Sequence, residues 1–439
     1  MTKTGVAFTG GTCLFPRIKM AKSKDGAPVS LIESYLSNAR TDLKSTIYTA
    51  SEHGSRIVGI PIHPIALAWL IHCDVMPLQS IITLNAEPKS YKTSTVFDFM
   101  RMFSITPPFD GMGIYINTEG KLSPTKITSL IPQPYVDRIQ VHSARGTDGP
   151  DGWQSYATYH LEHITKIMGD IAKRRKAGEK TFMPPVVMAI DSIGGTQTEE
   201  IADKISDNAQ GRGYQNRAYL NTMFLNSWSA RMIGLPVLLI FVNHLKDAMD
   251  GFGKTTPGGV AAGFHTSLEI RIRRVPGKEA KKFNGVPAEI TKLEWHVYFS
   301  SIGRDGRKIE LKYIDTYDEA GNQICWFDWH EALVTLLLKL QKTPEYPELE
   351  GLVGIEMHEA GNLGQLYTCK LAGITTKEQA KEMKMNASAL GHLLQTTPEF
   401  HSLITSALRI QRFNHWFPDF EMPPIPVERA KTESKKKKK

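Results

Sequence analysis

The segment Thr83–Ser94 constrains the fold of this chain more than any other part of its sequence. Its residues, TLNAEPKSYKTS, follow the apolar run 80–82 and precede apolar residues at helical spacing in 96–100. The pattern predicts a strand, then a tight turn whose backbone N–H groups can surround an anion, then a helix whose N-terminal dipole adds to that attraction. In such a phosphate-binding loop Lys92 would neutralise phosphate groups and the Thr93 hydroxyl would hold Mg²⁺.

Two positions depart from the usual G-x-x-x-x-G-K-[ST] pattern of such loops. Ala86 stands at the first glycine position and Tyr91 at the second. Only glycine takes positive φ freely, so Ala86 predicts a lowered phosphate affinity. The plainer interpretation is an ordinary helix start capped by Ser90 or Thr93. The segment alone leaves both interpretations open, and the order of the later segments favours the phosphate loop.

Composition indicates a globular chain without a membrane span. With 439 residues, 41% hydrophobic and 22% charged, it has room for one large or two medium domains. No apolar run reaches the roughly 18 to 20 residues that span a bilayer, so we expect a soluble, unsecreted protein. The formal charge of +8 favours a polyanionic partner, although residues 435–439 are five consecutive lysines. The cysteines lack zinc spacing and are expected to be reduced core thiols: Cys13, Cys73, Cys325 and Cys369.

Three chemically distinctive strand ends follow the loop. Glu119 comes just after the apolar segment 113–117, which we expect to form a strand beside the loop strand. A carboxylate at that place can activate water for attack on a phosphate. The alternative is that Glu119 is simply solvated, as a lone loop glutamate more often is. Asp191 ends the apolar run 184–190, which has the form of a buried parallel strand ending in a Mg²⁺-binding acid. The alternative is a helix-capping Asp-Ser pair. A second apolar strand, 236–242, ends in Asn243 and His244.

Two polar, glycine-bearing segments are expected to be loops. Residues 193–216 predict a long mobile loop before a helix at 218–233. Residues 246–264 are too poor in apolar side chains to hold a fixed shape alone, and such loops usually order around a ligand. Segments 267–274, 293–299 and 308–314 alternate as strands and should extend the sheet antiparallel at one edge.

The pattern divides the chain into four parts. Residues 1–55 combine a flexible lead-in with an amphipathic helix at 29–51, whose apolar stripe packs either on its own domain or on a neighbouring subunit. Residues 56–318 form an α/β nucleotide-binding core. Residues 319–420 show helical spacing and predict a small helical C-terminal domain. Residues 421–439 are a proline-rich linker and a basic tail.

This ordered set resembles the RecA recombinase family, most closely its bacteriophage UvsX-like branch. The most telling segment is residues 255–274, TTPGGVAAGFHTSLEIRIRR, which is similar to the second DNA-binding loop of RecA and the strand that follows it. The UvsX-like branch also carries an aromatic residue at the last glycine position of the phosphate loop, as Tyr91 does here. The resemblance covers about residues 56–316.

The resemblance implies roles for residues at matching positions. It implies nucleotide binding by Glu87, Pro88, Lys89, Ser90, Tyr91, Lys92, Thr93 and Ser94. It implies Mg²⁺ binding by Thr93 and Asp191, with Glu119 as general base and His244 as γ-phosphate sensor. Arg304, Lys308 or Arg307 would be a cation reaching into a neighbour's site. DNA loops are expected within 196–212 and 246–264, with contacts from Arg212, Lys246, Lys254, Thr255, Thr256, Gly258, Gly259 and Phe264.

The resemblance also implies a fold and an activity. The fold would be a mostly parallel sheet flanked by helices, with antiparallel edge strands. The protein would use ATP to form helical homo-oligomers on single-stranded DNA and pair it with homologous duplex DNA, and its further partners would be a single-strand-binding protein and a loader. It would act in the host cytoplasm or a phage replication compartment. The basic tail departs from the acidic end common in the family. Two alternatives stay open: a DNA-coating filament protein that hydrolyses ATP weakly because of Ala86, and a hexameric helicase.

Overall fold

A computed structural model of the chain describes residues 58–120, 122–143, 153–179, 181, 183–193, 210–247, 254–255, 261–276, 280–283, 286–360 and 364–416. These residues belong to one compact unit, 57–439. The expected helix at 29–51, the proline-rich linker and the basic tail lie outside the described residues.

The strands of the described residues are short to medium in length and most are buried on at least one face. In chain order they are β1 (Val58–Pro61), β2 (Val75–Pro77), β3 (Ser80–Ala86), β4 (Met112–Asn117), β5 (Ile139–Ser143), β6 (Val186–Asp191), β7 (Val237–His244), β8 (Lys246–Asp247), β9 (Lys254–Thr255), β10 (Leu268–Arg274), β11 (Ala280–Phe283), β12 (Val286–Ser300), β13 (Lys308–Tyr317), β14 (Gln323–Phe327), β15 (Ile355–Glu359), β16 (Gln365–Cys369) and β17 (Asn414–His415).

The helices of the described residues cover both faces of the sheet and the C-terminal region. In chain order they are α1 (Ile65–Ile71), α2 (Lys92–Met100), α3 (Pro124–Leu130), α4 (Gln133–Val136), α5 (Trp153–Lys176), α6 (Gln210–Arg231), α7 (Ala261–His265), α8 (Trp329–Leu340), α9 (Pro347–Leu352), α10 (Lys377–Glu382), α11 (Ala387–Thr396) and α12 (Pro398–Ala407). A π-helical turn, Arg101–Ile105, continues α2.

One large sheet organises these elements. Its strand order is β14-β13-β12-β10-β3-β7-β6-β4-β5, with β11 paired to β12. The strands from β10 to β5 run parallel, and β12, β13 and β14 extend the sheet antiparallel beyond β10. The chain is therefore an α/β protein with a large, mostly parallel central sheet flanked by helices. The expected antiparallel edge is confirmed for segments 293–299 and 308–314, whereas segment 267–274 is β10, the last parallel strand beside β3.

The two faces of the sheet bury separate cores. On one face, Leu84 and Leu293 pack with Phe97 of α2. On the other face, residues of β4, β6 and β7 pack with Leu161 of α5 and Trp228 of α6. The strands β3, β6 and β7 lie in the middle of the parallel part and are buried on both faces, which explains why β6 and β7 are continuous apolar runs up to their polar ends.

The expectation that the strand before Glu119 lies beside the loop strand is wrong. β7 and β6 stand between β3 and β4. Both come later in the chain and occupy the two intervening positions, because the crossover through α2 carries the chain past them. Strands that are consecutive in sequence are neighbours only about two-thirds of the time. All of these strands still end at the same edge of the sheet.

The polar segment before β7 contains more helix than expected. α6 begins at Gln210, eight residues before the predicted start, so residues 210–216 are helical rather than loop. Glycines at 211 and 213 lower the helix propensity there. The apolar residues Leu225, Trp228 and Met232 bury the C-terminal half of the helix. A helix stabilised by packing at one end extends through weak formers at the other.

The segment between β7 and β10, expected to be shapeless, contains regular structure among its described residues. β8 and β9 pair antiparallel, with Lys246 opposite Thr255, and α7 follows before β10. His265 joins α7 to α6, because its Nδ1 lies 2.9 Å from Ser229 Oγ and its Nε2 lies 2.8 Å from Asn226 Oδ1. Residues 248–253 and 256–260 lie outside the described residues.

The C-terminal region packs on the sheet and is not purely helical. It contains the β15–β16 hairpin, and β17 pairs with β1. Gly391 lies so close to the backbone of α8 that a Cβ there would collide with the His330 carbonyl oxygen. The Arg307 guanidinium lies over Trp69, 4.6 Å from the ring centre, and donates to the hydroxyl of Tyr346.

Two further sequence expectations concern membranes and thiols. Among the described residues no helix combines the length and apolar character needed to cross a membrane. Cys73, Cys325 and Cys369 are buried free thiols, and Cys13 lies outside the described residues. Burial raises the pKa of Cys73 to about 12, so this thiol is unreactive at neutral pH.

A pair of neutral histidines joins the outer edge of the sheet to α5. The Nε2 atoms of His142 on β5 and His160 on α5 are 2.8 Å apart, and Tyr156 packs against His142. One imidazole must donate and the other accept, so the acceptor is neutral. Burial lowers the pKa of both rings, which favours the neutral form of the donor as well. Burial, with added repulsion from His142 and His163, lowers the pKa of His160 from its ordinary value of about 6.5 to about 4.

This histidine pair predicts acid sensitivity. The unfolded chain binds a proton at His160 near pH 6.5, whereas the folded chain does so only near pH 4, so stability is lost as the pH falls between these values. We expect His160→Gln to flatten the fall in the urea midpoint between pH 6.5 and 4, because glutamine does not titrate. The matched control is Lys166→Gln, which changes an exposed residue on the same helix. An equally steep fall in His160→Gln and in the unmodified protein would contradict this assignment.

Candidate phosphate-binding site

The turn between β3 and α2 has a defined shape despite its missing glycines. Lys89 (φ 62°) and Tyr91 (φ 59°) take the left-handed conformation. Ala86 is the last residue of β3 and is not among the residues with positive φ. The predicted penalty at Ala86 is therefore wrong, because this position is extended and needs no glycine. The strain falls instead on Tyr91, at the second glycine position.

Lys92 is the first residue of α2, and its side chain lies inside the turn. The residue is 8% exposed. Its Nζ donates to the carbonyl oxygens of Ala86 (3.3 Å) and Glu87 (3.0 Å) and lies 3.3 Å from His244 Nδ1. Burial lowers the pKa of Lys92, and the nearby carboxylates of Asp191 and Glu119 oppose that shift. An anionic phosphate in the turn would stabilise the charged ammonium.

Asp191, at the end of β6, accepts two hydroxyl hydrogen bonds on one oxygen. Thr93 Oγ1 donates to Asp191 Oδ2 at 2.6 Å, and the Tyr115 hydroxyl donates to the same atom at 2.7 Å. Burial raises the pKa of Asp191, and these two hydrogen bonds oppose the shift. The carboxylate is thus held in an environment where a cation would offset its desolvation.

Glu119 and His244 form the third part of the site. His244 Nε2 lies 2.7 Å from Glu119 Oε1, and Ser192 Oγ donates to the same oxygen at 3.0 Å. Because Lys92 can only donate, it donates to Nδ1 of His244, so Nε2 carries the hydrogen and donates it to Glu119. A continuous set of hydrogen bonds therefore runs from the turn through His244 to the carboxylate after β4.

The remaining turn residues differ in exposure. Pro88 and Lys89 are exposed, Glu87 is half-buried, and Ser90 and Ser94 are buried. Tyr91 turns away from the turn and stacks on Tyr313 of β13.

The hydroxyl of Thr93 and the carboxylate of Asp191 are suited to Mg²⁺. Mg²⁺ prefers hard oxygen ligands and is typically held by one or two carboxylates, substrate phosphates and water. The described residues contain no group of three or more histidine, cysteine or acidic side chains that could hold a metal by themselves. The oxygen pair fits a metal that arrives with a phosphate ligand and does not fit a permanent protein-bound ion.

Two residues of the site were missed in the sequence. Tyr115 lies on β4, where its sequence context is that of a core residue. Ser192 was considered only as part of an Asp-Ser cap. Both act through contacts between neighbouring strands, and nothing local in the sequence signals such contacts.

Arg304, Arg307 and Lys308 do not join the site within the same chain. Leu268 of β10 pairs with both Ile82 and Ser300, so the turn after β12 is level with the start of β3. The phosphate turn is at the other end of β3. Arg304 pairs with Glu345 at 2.9 Å, and Lys308 lies 3.7 Å from Glu294. Both basic side chains are substantially exposed, whereas Arg307 is used in packing on Trp69.

The predicted DNA contacts are only partly described. Lys246, Lys254 and Thr255 lie on the β8–β9 ribbon, directly after His244, and Arg212 lies in the first turn of α6. Phe264 of α7 is 84% exposed. Thr256, Gly258 and Gly259 lie outside the described residues.

The role of Lys92 predicts the effect of its removal. Lys92→Ala should weaken MgATP binding by about a hundredfold, since hydrogen bonds to charged groups contribute about 1.5 to 3 kcal/mol and the turn loses its only buried cation among the described residues. Titration calorimetry with MgATP measures this. Lys89→Ala removes an exposed lysine of the same turn and serves as the matched control. Nucleotide binding by Lys92→Ala that equals that of the control would refute the assignment of the turn.

Comparison with known proteins adds no family assignment. No protein-family model matches the chain, and no curated protein matches it. The function is therefore argued from the geometry of the site.

Proposed function

We propose that this protein is an ATP-dependent DNA recombinase of the RecA type, which forms helical filaments on single-stranded DNA and promotes homologous pairing and strand exchange. The observation that carries the proposal is the meeting of Lys92, Thr93, Asp191, Glu119 and His244 at one edge of the sheet. One set of hydrogen bonds joins Lys92, His244 and Glu119, and a second joins Thr93 to Asp191. These residues come from widely separated segments, and each has the chemistry that nucleotide hydrolysis needs at its position.

The strand order supports a RecA-like core. The loop strand β3 lies between β7, which ends in His244, and β10, which follows the candidate second DNA loop. Residues 245–267 therefore leave the sheet on one side of β3 and return on the other. The phosphate turn contacts the start of this segment, where the Leu245 amide donates to the Ala86 carbonyl oxygen. The end of the segment, at Ser267, lies beside Ile81 at the opposite end of β3. That arrangement favours coupling between nucleotide state and DNA grip.

The hydrogen bonds suggest how hydrolysis would proceed. A γ-phosphate entering the turn attracts the Lys92 ammonium away from His244 Nδ1, since an anion is the stronger acceptor. Glu119 takes a proton from the attacking water, whose oxygen forms a bond to the γ-phosphorus as the bond to ADP breaks. His244 can then donate to phosphate, and a shift of His244 moves the start of the β8–β9 ribbon. Thr93 and Asp191 would hold Mg²⁺, which would neutralise charge on the phosphates.

DNA binding would rely on the backbone of the nucleic acid. Basic side chains such as Lys246, Lys254 and Arg212 would contact phosphates, giving a salt-sensitive affinity. Homology would then be read by base pairing between DNA strands. Neither alternative gains support: the weakly hydrolysing protein was suggested by Ala86, which is extended and unstrained, and no described contact favours a closed ring.

Removing the base should separate binding from turnover. Glu119→Gln keeps the shape of the side chain and its contacts with His244 and Ser192 but cannot accept a proton from water. We expect filaments that assemble on single-stranded DNA with ATP and persist, with turnover lowered by about 10² to 10⁴. Electron microscopy shows whether the filaments persist, and phosphate release gives the turnover. The control is Glu310→Gln, at an exposed position of β13. Turnover within a few-fold of the control would mean that another residue activates the water.

The distant basic residues predict hydrolysis shared between subunits. Arg304 and Lys308 cannot reach their own phosphate turn, so a cation from them would act on a neighbour, an effect worth about 10³ or more in other NTPases. We expect Arg304→Ala/Lys308→Ala to be inactive alone and to regain some activity when mixed with Lys92→Ala. Arg307 stays unchanged because it packs on Trp69. If the two variants assemble together on DNA and the mixture stays inactive, the cation comes from elsewhere.

A further inference from the structure

Tyr91 is unusual because its backbone is strained at a position where the loop pattern has glycine, while its side chain makes specific contacts. Its φ of 59° lies in the left-handed region that most side chains avoid. A tyrosine at such a position persists only if its surroundings hold it there. The contacts of the Tyr91 side chain must therefore hold this conformation.

Those contacts lie on the antiparallel part of the sheet. The Tyr91 ring stacks on Tyr313, with ring centres 4.0 Å apart and planes inclined by 30°. Its hydroxyl lies 3.1 Å from Thr291 Oγ1 and 3.3 Å from Glu289 Oε1. Thr291 and Tyr313 are directly paired across β12 and β13. The turn is thus attached to a rigid two-strand surface.

The same surface of β12 and β13 also contacts the segment that follows Glu119. Lys126 of α3 donates to the Tyr313 hydroxyl at 2.8 Å. Its Nζ lies 5.1 Å from the centre of the Tyr313 ring and 5.7 Å from that of Tyr91. Tyr313 is completely buried. We call Tyr91, Tyr313 and Lys126 the aromatic clamp.

We propose that the aromatic clamp holds the phosphate turn in its binding shape before nucleotide arrives, and that Tyr91 is a positioning residue for nucleotide binding. This inference rests on the proposed function for the identity of the ligand. A turn that is ordered in advance loses less conformational entropy when the ligand binds. Stacking of Tyr91 on Tyr313 holds the backbone of residue 91 in the left-handed conformation that a glycine would adopt freely.

The inference makes an unexpected prediction: restoring glycine at position 91 weakens binding. Glycine adopts the observed φ without strain but releases the turn from Tyr313. We expect Tyr91→Gly to bind MgATP about tenfold more weakly. Tyr91→Asn tolerates positive φ with less backbone freedom than glycine and also lacks the ring, so it should lose about as much. Tyr91→Phe keeps the stack and should stay within about threefold of the unmodified protein.

Two measurements on the full chain test this. Calorimetry gives the MgATP affinities, and hydrogen exchange of the amides of residues 87–92 without nucleotide reports the order of the turn. We expect faster exchange in Tyr91→Gly and Tyr91→Asn and unchanged exchange in Tyr91→Phe. Thermal unfolding establishes that each variant is folded.

The outcomes separate the clamp from the proposed function. Binding by Tyr91→Gly as tight as that of the unmodified protein, with unchanged exchange, overturns the clamp. A loss in Tyr91→Gly without a loss in Tyr91→Asn also overturns it, because backbone freedom is then the cause. If the unmodified protein binds no nucleotide, the proposed function fails, and the exchange measurements still decide whether Tyr91 orders the turn.

Discussion

The structure depends on a buried cation held beside buried carboxylate at one edge of a parallel sheet. Lys92 and Asp191 are both largely removed from water, and burial shifts the pKa of each towards its neutral form. Desolvating such groups is costly unless hydrogen bonds compensate. Here the loop carbonyls, His244, Thr93 and Tyr115 supply that compensation. A site built this way is less stable than an apolar packing would be, and a charged ligand relieves the cost.

The position of β3 gives this edge its wider consequence. Because β3 is flanked by β7, the phosphate turn is adjacent to the start of the segment that we propose binds DNA, where Leu245 donates to Ala86. On its other side the turn is attached through Tyr91 to β12 and β13. The turn therefore contacts the start of the proposed DNA-binding segment on one side and the antiparallel strands on the other. Movement on nucleotide binding is expected on the first side.

Local patterns in the sequence predicted the local parts of this arrangement. The strand, turn and helix around Lys92 follow from a short apolar run and a helical spacing, and Asp191 follows from an apolar run that ends in an acid. The position of β4 could not be predicted, because strand order depends on how later strands pack. The role of Tyr115 depends on its register with β6, and the stacking of Tyr91 depends on Tyr313, far along the chain. Nothing in the sequence distinguishes the environment of Arg307 from that of Arg304, because packing on Trp69 depends on the conformation of the turn after β12.

We propose that nucleotide hydrolysis at this edge of the sheet is coupled to DNA binding. The most direct test is the rate of ATP hydrolysis by the full chain with Mg²⁺, measured with and without single-stranded DNA of mixed sequence. A chain carrying Asp191→Asn is the blank for contaminating ATPases. We predict slow turnover by the protein alone and a steep increase when single-stranded DNA is added. Turnover that is absent, or that is the same with and without DNA, would contradict the account.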